Sequence, residues 1–267
     1  MHAAALADLR AADPRFEGWE YFRFDVPPED LAAALDLMRE RGFRGVNLTV
    51  PHKVLAMELV SEVDAGASAA GAVNTLLLKG AGWRGFNTDG YGLSAGIRES
   101  LGLELGGAQV VLLGAGGAAR GAAVECLRAG CSSLWIMNRS RPNMDALLSH
   151  LTPLAPSTQI RGIELGSDAP GLEPGAIVIN ATTAGLKEAD PAPVNLATLP
   201  KVAAVYDMIY NPPRTALLAQ AQLLRLPNAN GLGMLVHQGA KALEIWSGVP
   251  AAKTAPIMRA AASKALG

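Results

Sequence analysis

Apolar positions along the chain recur with two periods, one helical and one alternating, and the switches between them outline an α/β protein. Residues 1–12 carry a helical pattern with no strand before it, and Tyr21–Val26 reads as a strand. Pro28-Glu29-Asp30 opens a helix on which Leu31, Leu35 and Met38 recur at helical spacing, and Gly42 ends it. Gly45–Val50 is the next predicted strand, followed by short helices at Lys53–Leu59 and Ala65–Ala70. Val73–Leu78 and Gly82–Phe86 pair about a Lys79-Gly80-Ala81 turn, and Asp89–Leu101 reads as a long helix. Strand–helix alternation resumes at Val110 and continues through Leu134–Met137, Ile160–Ile163, Ile177–Ile179 and Val202–Tyr206, which predicts a parallel doubly wound sheet. Leu232–Trp246 and Ala251–Leu266 form a helical tail. The expected fold class is α/β with two α/β domains. The first covers 1–90 with the tail 239–267 packed back on it, and the second, 91–238, is of Rossmann type. Ligands are expected at the carboxyl ends of the strands, in a cleft between the two.

The most informative local feature is the apolar strand Val110–Leu113 running into Gly114-Ala115-Gly116-Gly117-Ala118-Ala119 and then a helix. Gly114 permits a tight turn, Gly116 lets backbone N–H groups approach phosphates, and Ala119 keeps the helix close to the strand, in the G-x-G-x-x-A spacing of a dinucleotide site. The free N–H groups and the positive dipole end of that helix face an anion. Downstream, the run Leu134–Met137 ends in Asn138-Arg139-Ser140. An acidic residue there would accept from a ribose 2′-hydroxyl; Arg139 instead attracts a 2′-phosphate, so the expected cofactor is NADP. Arg141 is a second cation within reach, with its backbone expected to be extended because Pro142 follows it.

Composition narrows the class. The chain has 267 residues, half of them hydrophobic and 18% charged, with a formal net charge of −1, which suits a globular protein and argues against a general nucleic-acid binder. Cys126 and Cys131 match neither a C-x-x-C nor a zinc framework and read as buried free thiols, consistent with a reducing cytoplasm. The four histidines form no spaced cluster, so no metal is expected. No apolar run is long enough for a membrane span, and Asp8 and Arg10 interrupt any signal-peptide core.

Three polar clusters end strands in the otherwise apolar first half: Asn47-Leu48-Thr49-Val50-Pro51-His52-Lys53, Gly71-Ala72-Val73-Asn74-Thr75 and Gly85-Phe86-Asn87-Thr88-Asp89-Gly90. Together with the glycine turn, Asn138-Arg139-Ser140 and the segment Gly231-Leu232-Gly233-Met234-Leu235-Val236-His237-Gln238, they closely resemble the shikimate dehydrogenase family, in the same order over nearly the whole chain. The resemblance implies NADP-dependent reduction of 3-dehydroshikimate to shikimate. A ring ketone needs a proton donor for its developing alkoxide, and an ammonium both donates a proton and stabilises negative charge. Lys53 is thereby implied as acid/base and Asp89 as its partner. Asn47, Thr49, Asn74 and Gln238 are implied to bond substrate hydroxyls, and Tyr210 to close the pocket. Thr182, Met208 and Gly231 fall where the family contacts the nicotinamide half, beside the turn residues Gly114–Ala118 and Asn138–Arg141. For His52 a structural role is expected.

Two departures from the family carry expectations of their own. Its members begin with a strand of the form G-x-P-I-x-H-S-x-S-P whose two serines hold the substrate carboxylate, whereas Met1-His2-Ala3-Ala4 matches the helix after it. The comparison implies an N-terminally shortened chain, or a gap filled by a neighbouring subunit, with substrate binding weakened by about two to four orders of magnitude. Second, Asn143 stands where many NADP-using members have another cation four positions beyond the arginine, which leaves Arg141 as the substitute. The alternatives are a quinate/shikimate dehydrogenase with relaxed cofactor use and a non-catalytic NADP-binding homologue. The expected partner is the small-molecule substrate alone, on a monomer or homodimer.

Overall fold

The computed structural model describes residues 1–167, 169 and 171–266. It divides into two compact units, Met1–Gly92 with Val236–Gly267, and Leu93–Leu235. Among the described residues, no helix is long and apolar enough to cross a membrane.

In chain order the first unit holds α1 (His2–Ala12), α2 (Leu31–Glu40), β1 (Gly45–Asn47), α3 (His52–Leu55), β2 (Glu62–Val63), α4 (Ala65–Ala70), β3 (Thr75–Lys79), β4 (Gly82–Phe86) and the start of α5 (Asp89–Leu101). Its sheet runs β1-β3-β4-β2, with β1 and β4 antiparallel to β3 and β2 parallel to β4. Asp64 caps α4 by accepting from the Gly66 amide, and Gly71 ends it in the left-handed region at φ 65°, a conformation glycine adopts without steric cost. Leu31 and Leu35 of α2 bury against Leu76 and Trp83 of the sheet and against Val73 in the loop before β3, which is why their helical spacing was informative. Trp246 docks the C-terminal helices on this unit: its indole N–H donates to the Leu76 carbonyl at 2.8 Å. A Cβ on Gly45 would lie 2.0 Å from that indole nitrogen, so only glycine lets β1 pass beneath the ring.

The expected strand at Tyr21–Val26 is not formed: these residues carry no regular secondary structure, and Phe22 and Phe24 are more than half exposed. A strand exists only through ladder bonds to a neighbour, and among the described residues β1, at the edge of its sheet, pairs with β3 alone. Tyr21–Val26 instead faces β1 and α2 across an open groove of about 1190 Å³. The Gly45–Val50 strand is likewise shortened, ending at Asn47.

The second unit contains the rest of α5, then β5 (Gln109–Leu113), α6 (Gly117–Arg128), β6 (Ser133–Asn138), α7 (Arg141–Leu151), β7 (Gln159–Glu164), β8 (Ile177–Asn180), β9 (Ala204–Asp207), α8 (Ala216–Leu223), β10 (Asn228–Ala229) and the start of α9 (Leu232–Ser247). The chain closes with α10 (Ala251–Leu266), in the first unit. All six strands of the sheet are parallel, in the order β10-β9-β8-β5-β6-β7. That is the doubly wound Rossmann order, and its switch point lies between β5 and β8. Strands β5, β6 and β8 are buried along almost their whole length, as sheets covered on both faces require. Cys126 and Cys131 are free thiols, and burial raises both pKa values, that of Cys131 to about 11.

Candidate functional site

In the first unit, three strand ends deliver the polar clusters to one place. The chain leaves β1 through Leu48 and Thr49 into α3, and the Lys53 amide bonds the Thr49 carbonyl while the Val73 amide bonds the Lys53 carbonyl, pinning the lysine backbone from two sides. Lys53 Nζ donates to Asp89 Oδ2 at 2.7 Å, with each side chain about one-quarter exposed. Asp89 opens α5, and its amide donates to Asn87 Oδ1. Its second oxygen, Oδ1, accepts from Asn74 Nδ2 at 2.9 Å. Both oxygens of Asp89 are thus held, one by the lysine and one by a buried amide.

Asn74 is 2% exposed. Its amide nitrogen also donates to Thr88 Oγ1, and its oxygen accepts from the Thr88 amide and the Thr75 hydroxyl. These bonds fix which way the amide faces, because the Thr88 N–H can only donate. Asn47, at the end of β1, donates to Thr75 Oγ1 and the Asn74 carbonyl and accepts at Oδ1 from the Tyr21 hydroxyl. Gln238 Oε1 lies 3.5 Å from Thr88 Oγ1, so α9 reaches the same cluster. Thr49 is exposed. His52 Nε2 is buried without a hydrogen-bond partner among the described residues. Sequence reasoning gave no role to Tyr21, which stacks on His2 at 4.3 Å between ring centroids and whose phenol pKa is raised by burial. Its strand-like context hid it.

In the second unit, the glycine turn sits at the carboxyl end of β5. Gly114 adopts φ +108°, a conformation in which an L side chain is strained. Gly116 is the N-cap of α6 and offers no side-chain cap, so the first-turn N–H groups lack an intrahelical partner, and a Cβ on Gly116 or Gly117 would meet open space. Ala119 is fully buried against the sheet. Ala115 and Ala118 complete the turn, and the arrangement fits a diphosphate: donors, dipole and room coincide.

Asn138, Arg139 and Ser140 follow β6. Asn138 Nδ2 donates to the Ser140 carbonyl at 2.9 Å, and Ser140 caps α7 by accepting from the Asn143 amide. Arg139 is exposed and, among the described residues, makes no ion pair. Arg141 departs from expectation twice. It is not extended but begins α7, because Pro142 in the first helical turn removes an N–H that would have no partner there. Its guanidinium is also already engaged, with Nε 2.9 Å from Asp145 Oδ1 one turn along the helix.

Thr182, beyond β8, lies at the switch point: its Cγ2 would be 3.1 Å from a Cβ on Gly114. Met208 and Gly231 meet across the end of β9. A Cβ on Gly231 would lie 2.1 Å from the Met208 carbonyl oxygen, and the Gly231 amide bonds the Ile209 carbonyl. Tyr210 follows in the same loop, about one-third exposed. Sequence reasoning missed the buried residues beneath this surface: Asp207, and Asn180 and Thr215, which both donate to it.

Residues 8–76 match the model of the shikimate dehydrogenase substrate binding domain, and residues 231–262 that of the shikimate 5′-dehydrogenase C-terminal domain. The chain is 40% identical over 250 residues, 93% of its length and 84% of the relative's, to a shikimate dehydrogenase (NADP(+)) of Geobacter sp. strain M21. Among solved structures it is similar to a shikimate 5-dehydrogenase from Thermus thermophilus in complex with NADP(H) and shikimate, at TM-score 0.80 and 31% identity, covering 97% of this chain and 94% of that one. It is also similar to a 5-ketofructose reductase of Gluconobacter sp. strain CHM43, at TM-score 0.81 and 31% identity, covering 96% and 92%. With both domain models matched in order and near-complete coverage of such relatives, the chain belongs to the shikimate dehydrogenase family.

Proposed function

We propose that this protein catalyses the NADP-dependent reduction of 3-dehydroshikimate to shikimate, with Lys53 as the acid/base. When bound, the dinucleotide supplies the hydride. Lys53 supplies the other half of the balance: its Nζ gives a proton to the carbonyl oxygen as that oxygen gains charge, and takes one back from solvent. Asp89 keeps the ammonium aimed by accepting from it. Asn74, whose amide is bonded to Asp89, Thr88 and Thr75, both steadies Asp89 and offers a partner to a ring hydroxyl. Asn47, Thr49 and Gln238 bond ring hydroxyls, and Tyr210 closes on the substrate. Arg139, free of ion pairs among the described residues, takes the 2′-phosphate, while Gly114–Ala118 hold the diphosphate beside Asn138 and Ser140. Thr182, Met208 and Gly231 bound the nicotinamide end. The same proposal places the enzyme in the cytoplasm, in aromatic amino acid biosynthesis, as a monomer or homodimer.

The observation that carries the proposal is the doubly held carboxylate of Asp89, with Lys53 at 2.7 Å and Asn74 at 2.9 Å. A solvated surface lysine would not find its partner anchored by a buried amide. The likeness to a 5-ketofructose reductase makes the choice of ketone the point to test. The experiment follows NADPH oxidation with 3-dehydroshikimate and, separately, 5-ketofructose, using Lys53→Ala as control. Turnover of 3-dehydroshikimate lost in the variant supports the proposal, and turnover of 5-ketofructose alone would replace its substrate.

A further inference from the structure

We infer that Asp207 and Asn180 are positioning residues that make the Thr182 hydroxyl an acceptor-only group, aimed at a hydrogen-bond donor on the nicotinamide-riboside half of the cofactor. The inference rests on the dinucleotide reading of the second unit and goes beyond it by assigning polarity and origin to one contact.

The hydrogen bonds set a proton order. Asp207 and Asn180, at the ends of β9 and β8, are both fully buried. Asp207 Oδ1 accepts from the Ile209 amide at 3.0 Å and from Asn180 Nδ2 at 2.9 Å, and Oδ2 accepts from the Thr215 hydroxyl at 2.6 Å. The Thr215 hydroxyl itself accepts from the Leu218 amide as the cap of α8, so its proton is directed to the carboxylate.

At its other end Asn180 Oδ1 accepts from the Thr182 backbone amide at 3.0 Å. A backbone N–H can only donate, so the atom facing it must be the carbonyl oxygen, and the amide nitrogen must face Asp207. Asn180 Oδ1 therefore accepts from the Thr182 hydroxyl as well, 2.8 Å away, which uses that hydroxyl's only proton. One Thr182 lone pair takes the Ala184 amide at 3.1 Å. One lone pair remains, on a side chain whose methyl lies against the turn at Gly114.

An acceptor with no proton to give selects for donors and disfavours anions. On the nicotinamide-riboside half two groups qualify, the carboxamide N–H and a ribose hydroxyl. The Asp207 carboxylate starts the relay: a buried group pushed up by desolvation and drawn down by three donors, it holds the Asn180 amide in the orientation that Thr182 needs.

The test uses equilibrium binding to the full chain, read by protein or NADPH fluorescence, beside thermal melting. Thr182→Val is expected to raise the Kd for NADPH by roughly 2- to 12-fold, the range for one neutral hydrogen bond. Thr182→Ser should restore it, and neither should change the affinity for adenosine 2′,5′-bisphosphate, which lacks the nicotinamide half. Asp207→Asn should raise the same Kd with adenosine 2′,5′-bisphosphate binding unaltered, a split that general destabilisation would not produce. Two analogues locate the donor: the nicotinic-acid form of the cofactor, which replaces the carboxamide by a carboxylate, and a form lacking a hydroxyl on the nicotinamide ribose. The parent should discriminate against one of them, and Thr182→Val should lose that discrimination. Equal NADPH affinity in the parent and Thr182→Val, or discrimination that survives the substitution, would overturn the inference. Failure of the parent to bind either NADPH or the bisphosphate would overturn the dinucleotide reading beneath it.

Discussion

Replacing Lys53 by methionine separates catalysis from folding because the two effects differ in size. Nζ lies 2.7 Å from Asp89 Oδ2, but both side chains remain about one-quarter exposed. A pair with that much solvent contact contributes about 0–1 kcal/mol to stability. The carboxylate left behind keeps Asn74 Nδ2 as a donor at 2.9 Å, so it is not stranded. Melting is then expected to fall by no more than ~4 °C for a chain of this size. Catalysis should suffer far more. Loss of a positioned general acid costs about 10²- to 10⁴-fold in rate, or roughly 3–5 kcal/mol of barrier. The assay is steady-state NADPH oxidation with 3-dehydroshikimate, with melting measured on the same preparations. The expected outcome is a collapse of kcat with KM for NADPH unchanged. A variant retaining kcat within about tenfold of the parent would refute the assignment of Lys53 as proton donor, since a mere binding role would appear in KM.

Three further outcomes are expected. Arg139→Gln should raise KM for NADP by about 10- to 150-fold, the worth of a charge-assisted hydrogen bond, and leave KM for NAD nearly unchanged; equal effects on both would mean that Arg139 does not read the 2′-phosphate. Burial lowers the His2 pKa from 6.5 to about 4, against a hydrogen bond to the Gly239 carbonyl 3.1 Å from Nε2. The unfolded chain therefore binds the proton first as pH falls, and His2 alone should cost about 2 kcal/mol of stability between about pH 7 and pH 4.5, with none of that loss above pH 7. Urea unfolding of His2→Gln should show correspondingly less acid sensitivity, and an unchanged pH dependence would disprove the shift. Gly231→Ala places a Cβ 2.1 Å from the Met208 carbonyl oxygen, so backbone must move; we expect about 1–3 kcal/mol of destabilisation with weakened NADPH binding, and a neutral effect would show that this crossing is not tight.

What the sequence disclosed follows the range of the interactions concerned. The glycine turn is local: strand, Gly114, Gly116 and α6 occupy consecutive residues, and the backbone constraints act within one turn. The Lys53–Asp89 pair spans 36 residues and became visible only through the family resemblance of the segments around it. No local signal in Arg141 shows that Asp145 holds it, because an i,i+4 pair needs the helix to exist, and Pro142 pointed toward an extended chain. Two-residue β2 is too short to leave any periodicity.

Tyr21–Val26 and Asp207 mark the two ways in which partners outside a segment override its own pattern. Residues 21–26 have strand-like character, yet β-propensity only states what suits a pleated, half-buried surface. Without ladder bonds the segment leaves Phe22 and Phe24 more than half exposed, and no feature within its six residues could have predicted that. Asp207 is the converse. Beside Met208 at the end of an apolar run it resembles a solvated strand end, and the run gives no sign that Asn180, 27 residues earlier, and Thr215, 8 residues later, converge on it. A carboxylate at 0% exposure is tolerable only because those donors satisfy it. The same requirement that makes its burial possible also fixes the direction of every proton from Thr215 to Thr182. At the switch point of this sheet, a demand of folding and a preference for one kind of ligand group are therefore met by the same hydrogen bonds.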